Sequence, residues 1–152
     1  MEDGLRLRGV FEVLVRDSEG VVKDKRVVPN IITTAGLTSV SALMTYDVGD
    51  TGFDYLAIGT GTAAAAVTQT TLVGEAYRIG GANVTGTQVT TTKPNDTMQL
   101  VGTLTSTATH AIVECGVFNA AAAGTLLARQ VFSAINVVSA DSIQVTYKVS
   151  VA

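Results

Sequence analysis

The chain has 152 residues, the size of one globular domain that can bury a sizeable core without disulfides or metal ions. Its net charge of −3 at pH 7 predicts no binding to nucleic acid or to an anionic membrane, because such binding requires clustered lysine and arginine. A single cysteine excludes a disulfide framework. The acidic start, MEDGLRLRG, predicts no secretory signal, and no apolar stretch is long enough for a membrane span, so we expect a soluble protein that is made in a cytoplasm.

The composition predicts a subunit that buries part of its surface against other proteins. Charged residues make up 15% of the chain and hydrophobic residues 47%, with alanine, valine, threonine and glycine dominant. Monomers usually keep a charged surface for solubility, whereas a weakly charged surface is typical of interfaces. We therefore expect a homo-oligomer or a subunit of an assembly. The alternative is a well-packed monomer with a hydroxyl-rich face.

Roughly half of the charged residues lie in the first 26 positions, where they alternate with apolar residues. This alternation, the turn DSEG and the following VVKDKRVV predict an N-terminal β-hairpin. We divide the chain into a charged hairpin or arm, residues 1–28, and a β-rich core domain, residues 29–152. The basic residues of the arm are candidate partner contacts: Arg6, Arg8, Arg16, Lys23, Lys25 and Arg26. The alternative is a solvated hairpin face with cross-strand ion pairs.

The rest of the chain predicts an all-β fold with one short helix near residues 34–45. The segment TTAGLTSVSALMTY begins with a threonine cap, and its apolar stripe is expected to cover one end of a sheet: Leu37, Val40, Leu43 and Met44. Further strands follow with turns about every ten residues. The last, SIQVTYKVSV, alternates strictly, which predicts a half-buried antiparallel strand. We predict a mainly antiparallel β-sandwich or a partly open barrel.

The segment YLAIGTGTAA has the glycine spacing of a dinucleotide-binding turn. That chemistry requires a helix to begin there and a second parallel strand to end in an acid. The following AAAAVTQTTL predicts neither, so we interpret the glycines as a strand-to-loop turn and expect no cofactor.

No set of residues predicts catalysis or a metal site. Strand alternation places His110 and Cys115 on opposite faces, and places Glu114 on the His110 face but about 13 Å away. Cys115 is therefore expected to be a small core residue. Three aspartates at 47, 50 and 54 lack the alternating spacing of a calcium loop. The absence of tryptophan disfavours sugar stacking, and we expect no enzymatic activity.

Three segments in this order resemble a recurrent domain of phage virion proteins. NIITTAGLTSVSALM is similar to the family's helix start. YLAIGTGTAAAAVTQTTLVGEAYR is similar to its "YIAVGTGT" strand and turn, followed by "L-x-x-E" and an arginine. VECGVFNAAAAGTLLARQVFSAINVVSADSIQVTYKVSV is similar to "E-x-GLFN", "GTLLAR" and a final alternating strand. The chain departs from the family at 133–135, where a proline is usual, and at Tyr147, where tryptophan is frequent.

The resemblance implies an all-β structural protein of the virion, labelled head decoration or tail fibre-like, without catalytic residues. A short chain without fibrous repeats favours a capsid decoration (cement) protein that binds the major capsid protein on the capsid surface, and a trimer is the oligomer such proteins commonly form. The alternatives are a tail component, such as a tail-tip or fibre-attachment subunit that binds tail proteins, and a receptor- or glycan-binding module. As a virion protein, the chain is expected to be assembled in the host cytoplasm and to be located in the virion, with the capsid surface favoured.

Overall fold

The computed structural model describes residues 4–45 and 49–152. The described elements, in chain order, are β1 (Leu7–Arg16), β2 (Val22–Pro29), β3 (Ile31–Ile32), α1 (Thr34–Leu43), β4 (Tyr55–Gly59), β5 (Glu75–Gly80), β6 (Val84–Val89), β7 (Thr97–Thr105), β8 (His110–Phe118), β9 (Leu126–Val137) and β10 (Ser142–Val151). A 3-10 turn, Gly81–Asn83, joins β5 to β6.

The strands form two five-stranded antiparallel sheets that pack face to face. Sheet A has the order β2-β1-β10-β7-β6, and sheet B has the order β3-β9-β8-β4-β5. Apolar residues from both sheets meet in one core cluster, with Phe11 and Tyr147 stacked at a centroid distance of 4.7 Å. The predicted all-β sandwich with one short helix is confirmed.

The N-terminal hairpin forms as predicted, but it is part of the sandwich and not an arm beside it. β1 lies between β2 and β10 and pairs with β10 over ten residues, from Leu7 with Val151 to Arg16 with Ser142. Its alternate apolar residues are fully buried: Phe11, Val13 and Val15. The division at residue 28 is therefore not a boundary between structural units, because the core contains residues from both sides of it.

The last strand also alternates as predicted. Ile143, Val145 and Tyr147 are fully buried, while Lys148 between the buried positions is exposed. β10 pairs with β1 on one side and β7 on the other, so it is the central strand of sheet A. A central strand with one buried face requires this two-residue period.

Helix α1 begins where predicted but packs on a different face. The Thr33 hydroxyl accepts a hydrogen bond from the Gly36 N–H (2.9 Å) and caps the first turn. The buried helix residues are Gly36 and Ser39, and a Cβ at Gly36 would lie 2.7 Å from the Leu127 backbone of β9. The helix thus approaches β9 through its glycine. Three residues of the predicted apolar stripe remain exposed: Leu37, Leu43 and Met44.

Replacing Phe11 with alanine is expected to lower the free energy of unfolding by about 3–5 kcal/mol, because it leaves a cavity beside Tyr147 in the core. Urea unfolding measures the loss. Leu14→Ala, on the half-buried outer face of the same strand, is the matched control and should cost clearly less. Equal losses for the two variants would contradict the central position of β1.

Candidate functional site

The six basic residues predicted as partner contacts do not form one cluster. Three are engaged in ion pairs: Lys23 with Asp141 (2.5 Å), Lys25 with Glu12 (3.2 Å) and Arg26 with Asp24. The predicted alternative, cross-strand pairing within the hairpin, is realised for Lys25 and Glu12, which lie on adjacent strands.

The remaining contacts of these cations are with the main chain or with solvent. Arg26 donates from Nε to the Ser133 hydroxyl (2.8 Å) and from Nη2 to the Ala134 carbonyl (3.3 Å), which links β2 to β9 across the two sheets. Arg16 donates to the Gly20 carbonyl (3.3 Å) in its own hairpin turn. Arg6 and Arg8 are exposed, and their side chains make no hydrogen bond or ion pair within the described ranges. Their role as partner contacts stays a prediction.

The most strongly connected polar group lies instead on the outer face of sheet B. Glu114 of β8 and Arg129 of β9 are both fully buried, and Arg129 Nε donates to Glu114 Oε2 at 2.8 Å. Arg129 Nη2 lies 2.7 Å from the same oxygen. Charges so far from water are stable only when they are paired and hydrogen-bonded, and this pair meets both conditions.

The pair is buried by the irregular segment 60–74 between β4 and β5. Glu114 accepts hydrogen bonds from the backbone N–H groups of Gly61 (2.9 Å), Val73 (3.0 Å) and Gly74 (2.6 Å). Arg129 Nη1 donates outward to the Ala63 carbonyl at 2.9 Å. One carboxylate and one guanidinium thus hold both ends of this long loop against the sheet.

The glycines of YLAIGTGTAA serve this packing. A Cβ at Gly61 would lie 2.6 Å from Glu114 Oε1 and 2.5 Å from the Val73 Cβ, so only glycine lets the loop approach the carboxylate. Residues 60–74 contain no helix, and both strands that pair with β4 are antiparallel to it. The predicted strand-to-loop turn is confirmed.

A second arginine anchors the neighbouring loop, residues 119–125. Arg78 of β5 lies over the Phe118 ring, 3.6 Å from its centroid, and donates from Nη1 to the Ala120 and Ala123 carbonyls, each at 2.9 Å. Its Nη2 donates to Glu75 Oε2 at 2.6 Å. The arginine therefore joins a cation–π contact, an ion pair and two carbonyl contacts at one point.

The faces of β8 on which His110, Glu114 and Cys115 lie differ from the sequence prediction. The pairing of β8 with β9 is irregular between Ile112 and Glu114, whose partners Ile135 and Val131 lie four residues apart on β9, and the alternation of faces along β8 changes there. Ile112 and Cys115 consequently share the core cluster, so His110 and Cys115 lie on the same face, while Glu114 points to the other. The His110 ring packs edge-on against Tyr77, with centroids 5.5 Å apart.

Cys115 is a buried core residue, as predicted, and burial raises the pKa of its thiol well above the usual value. A thiol held in its neutral form is a poor nucleophile. The cysteine thus contributes packing at this position.

The predicted loop of aspartates lies partly outside the described residues, because Asp47 is among those not described. Asp50 accepts a hydrogen bond from the Ser39 hydroxyl (2.5 Å) and from Asn119 Nδ2 (3.0 Å), and these bonds hold the pKa of its carboxyl below the usual value. Asp50 therefore ties α1 to the end of β8. Within residues 4–45 and 49–152, no group of three histidine, cysteine, aspartate or glutamate residues is arranged to hold a metal ion.

Comparison of the chain with protein families, with curated proteins and with solved structures gave no match. Among the described residues, no helix is both long enough and apolar enough to cross a membrane.

Sequence reasoning did not predict the contact between Glu114 and Arg129. The available signal was a single acid in HAIVECGVFN and a single base in TLLARQVF, each inside an otherwise apolar strand. A lone charge in an apolar strand requires a partner, but two such charges identify each other only when the strands are known to be adjacent.

Glu114→Gln is expected to lower the free energy of unfolding by about 3–5 kcal/mol, because it leaves the Arg129 charge buried without a counter-charge. Urea unfolding measures the loss, and hydrogen exchange at the Gly61, Val73 and Gly74 amides should accelerate as the loop is released. Glu12→Gln, which removes an exposed ion pair with Lys25, is the control and should cost less than about 1 kcal/mol. Comparable small losses in both variants would contradict the anchoring role.

Asp96 gives the protein an acid-sensitive turn. Its carboxylate accepts hydrogen bonds from the N–H groups of Lys93 (2.7 Å), Thr91 and Thr92 (each 2.8 Å), which hold its pKa well below the usual value. Because the folded pKa is the lower one, the stabilisation is present above the unfolded value, near pH 4, and is lost as the pH falls below it.

The free energy of unfolding is therefore expected to decrease as the pH is lowered from about 5 to about 2. Asp96→Asn should be less stable than the parent chain at pH 7 and should lose less on acidification. Asp54→Asn is the matched control, since Asp54 is exposed and its side chain makes no hydrogen bond within the described segments. Urea unfolding at pH 7, 5 and 3 checks the expectation, and identical acid dependence of all three proteins would contradict it.

Proposed function

We propose that the chain is a non-enzymatic structural subunit of a phage virion, and specifically a decoration protein that binds between neighbouring major capsid subunits. The proposal rests first on the resemblance of its three segments to a virion protein domain. A trimer on the capsid surface is the arrangement that this resemblance implies.

One structural observation supports the proposal more than any other. The residues that carry the resemblance contact one another: Gly61 of the GTGT turn and Arg129 of GTLLAR both contact Glu114 of ECGVFN. Motif residues that are far apart in sequence thus serve one purpose, holding long loops on a rigid sheet. A rigid domain whose buried acid is bonded to its own main chain and to a buried arginine is suited to binding a partner and not to turnover of a substrate.

The exposed surface offers contacts of two kinds. Arg8 and Arg16 lie on the outer face of sheet A, because the residues between them that point inward are buried. Leu37 of helix α1 and Met44, the residue after its last turn, are exposed, with 51% and 76% of their surface accessible. Exposed arginines and exposed apolar residues are both typical of protein interfaces, in which arginine is enriched and apolar residues are desolvated.

Arg6→Glu together with Arg8→Glu is expected to weaken binding to capsids of the encoding phage at least tenfold, because both side chains are exposed and both charges are reversed. The measurement is co-sedimentation of the purified protein with capsids over a range of concentrations. Thr103→Ala, an exposed position on β7 of the same sheet, is the control and should bind as the parent chain does.

Labelling of intact virions separates the possible locations. Signal on the head supports the decoration proposal, and signal on the tail favours a tail component instead. Absence from virions, together with specific retention on a glycan array, would replace both with a receptor- or glycan-binding module.

A further inference from the structure

Each sheet of the sandwich ends in two edge strands, whose outer backbone N–H and C=O groups have no neighbouring strand. The edges are β2 and β6 in sheet A and β3 and β5 in sheet B. Such edges can pair with strands of other chains, and proteins that remain monomeric usually protect them with charges, prolines, shortness or covering contacts.

Three of the four edges carry this protection. β2 contains Lys23, Asp24, Lys25 and Arg26 and ends at Pro29, and Arg26 is hydrogen-bonded to β9. β3 has only two residues. β5 carries two charged residues, Glu75 and Arg78.

β6 has none of these features. Its sequence, VTGTQV, contains no charged residue and no proline, and four consecutive residues, 85–88, are exposed. The Val84 N–H donates to the Gly81 carbonyl in the preceding 3-10 turn. The other backbone hydrogen bonds of β6 within the described residues are those with β7, in an unbroken register from Val84 with Gly102 to Val89 with Thr97. The other side of this regular strand therefore presents alternate N–H and C=O groups in the positions that a further strand would use.

We propose that this edge pairs with the same edge of a second copy of the chain. The two β6 strands would run antiparallel about a two-fold axis and join the two copies of sheet A into one continuous sheet of ten strands. Any register of VTGTQV against itself places threonine, glutamine, valine or glycine opposite one another and never two like charges.

The charge pattern of the chain favours a second copy over another occupant. A partner strand selected by charge would require charged residues on β6, and the strand has none. A copy of β6 meets the same uncharged surface on both sides. Because the other edges are protected, this pairing ends at two chains instead of continuing into a filament.

The inference is independent of the virion proposal, since it depends only on the edges of the sheets. It also predicts a different contact from a simple three-fold ring, in which β6 would have to pair with a different edge. If the chain did not bind capsids, the inference about β6 would still stand. If β6 did not pair with a second copy, the capsid proposal would be unaffected.

The mass of the purified chain, measured by sedimentation velocity up to about 1 mM, tests the proposal. A concentration-dependent dimer is expected. Thr85→Lys combined with Thr87→Lys places like charges on both strands at the axis and should raise the dissociation constant at least tenfold. Thr103→Lys is the matched control, because Thr103 is exposed on the same outer face but lies on β7, which is internal to the sheet. It should dimerise as the parent chain does.

Hydrogen exchange locates the contact independently of any substitution. The β6 amides that do not bond to β7 should become protected as the concentration of the parent chain rises. A chain that stays monomeric at about 1 mM would overturn the proposal and leave the edge to a strand of another protein. A dimer or trimer that is indifferent to the two lysines, with β6 amides unprotected, would overturn it as well. Circular dichroism shows whether each variant is folded before its mass is interpreted.

Discussion

The buried pair of Glu114 and Arg129 is the constraint on which one whole side of the molecule depends. Moving a charge out of water costs several kcal/mol unless a counter-charge and hydrogen bonds replace the water. Here the replacement comes from the guanidinium and from the main chain of residues 60–74. That loop cannot leave the sheet without exposing an incompletely bonded acid and base. The pair therefore makes an irregular fifteen-residue connection part of the rigid structure.

The same principle is repeated at the other connections of the sandwich. Carboxylates accept hydrogen bonds from the N–H groups of loops, as Asp96 does in the turn after β6 and Asp141 before β10. The Arg78 guanidinium donates to loop carbonyls in residues 119–125. Asp141 accepts from both the Val138 N–H and Lys23, so the turn before β10 is also tied to β2. A chain with few charged residues thus uses many of them as loop anchors, which leaves an outer surface dominated by threonine and small residues.

The N-terminal hairpin has a buried apolar face and a charged outer face, and both are visible in the alternation of its sequence. Its inward residues belong to the core, and its outward face carries its charged residues, several of which are paired with one another or with the sandwich. The hairpin is therefore both a structural strand pair and the most polar part of sheet A. The opposite edge of that sheet is uncharged, so the two ends of one sheet offer very different surfaces to a partner.

The sequence by itself determined most of the strands, the helix cap and the alternation of buried residues along β1 and β10, but not whether the segment that contains β5 is helix or strand. These depend on local rules: a two-residue period along a half-buried strand and a hydroxyl that caps the first turn of a helix. Tertiary structure alone decided which charges meet, because Glu114 and Arg129 become neighbours only through the pairing of β8 with β9. It also decided the face of β8 on which His110 lies, since the irregular pairing between Ile112 and Glu114 reverses the alternation from which that face is inferred. The packing of α1 was likewise decided by its neighbour: close contact with the backbone of β9 favoured the side with Gly36 over the side with the larger apolar residues.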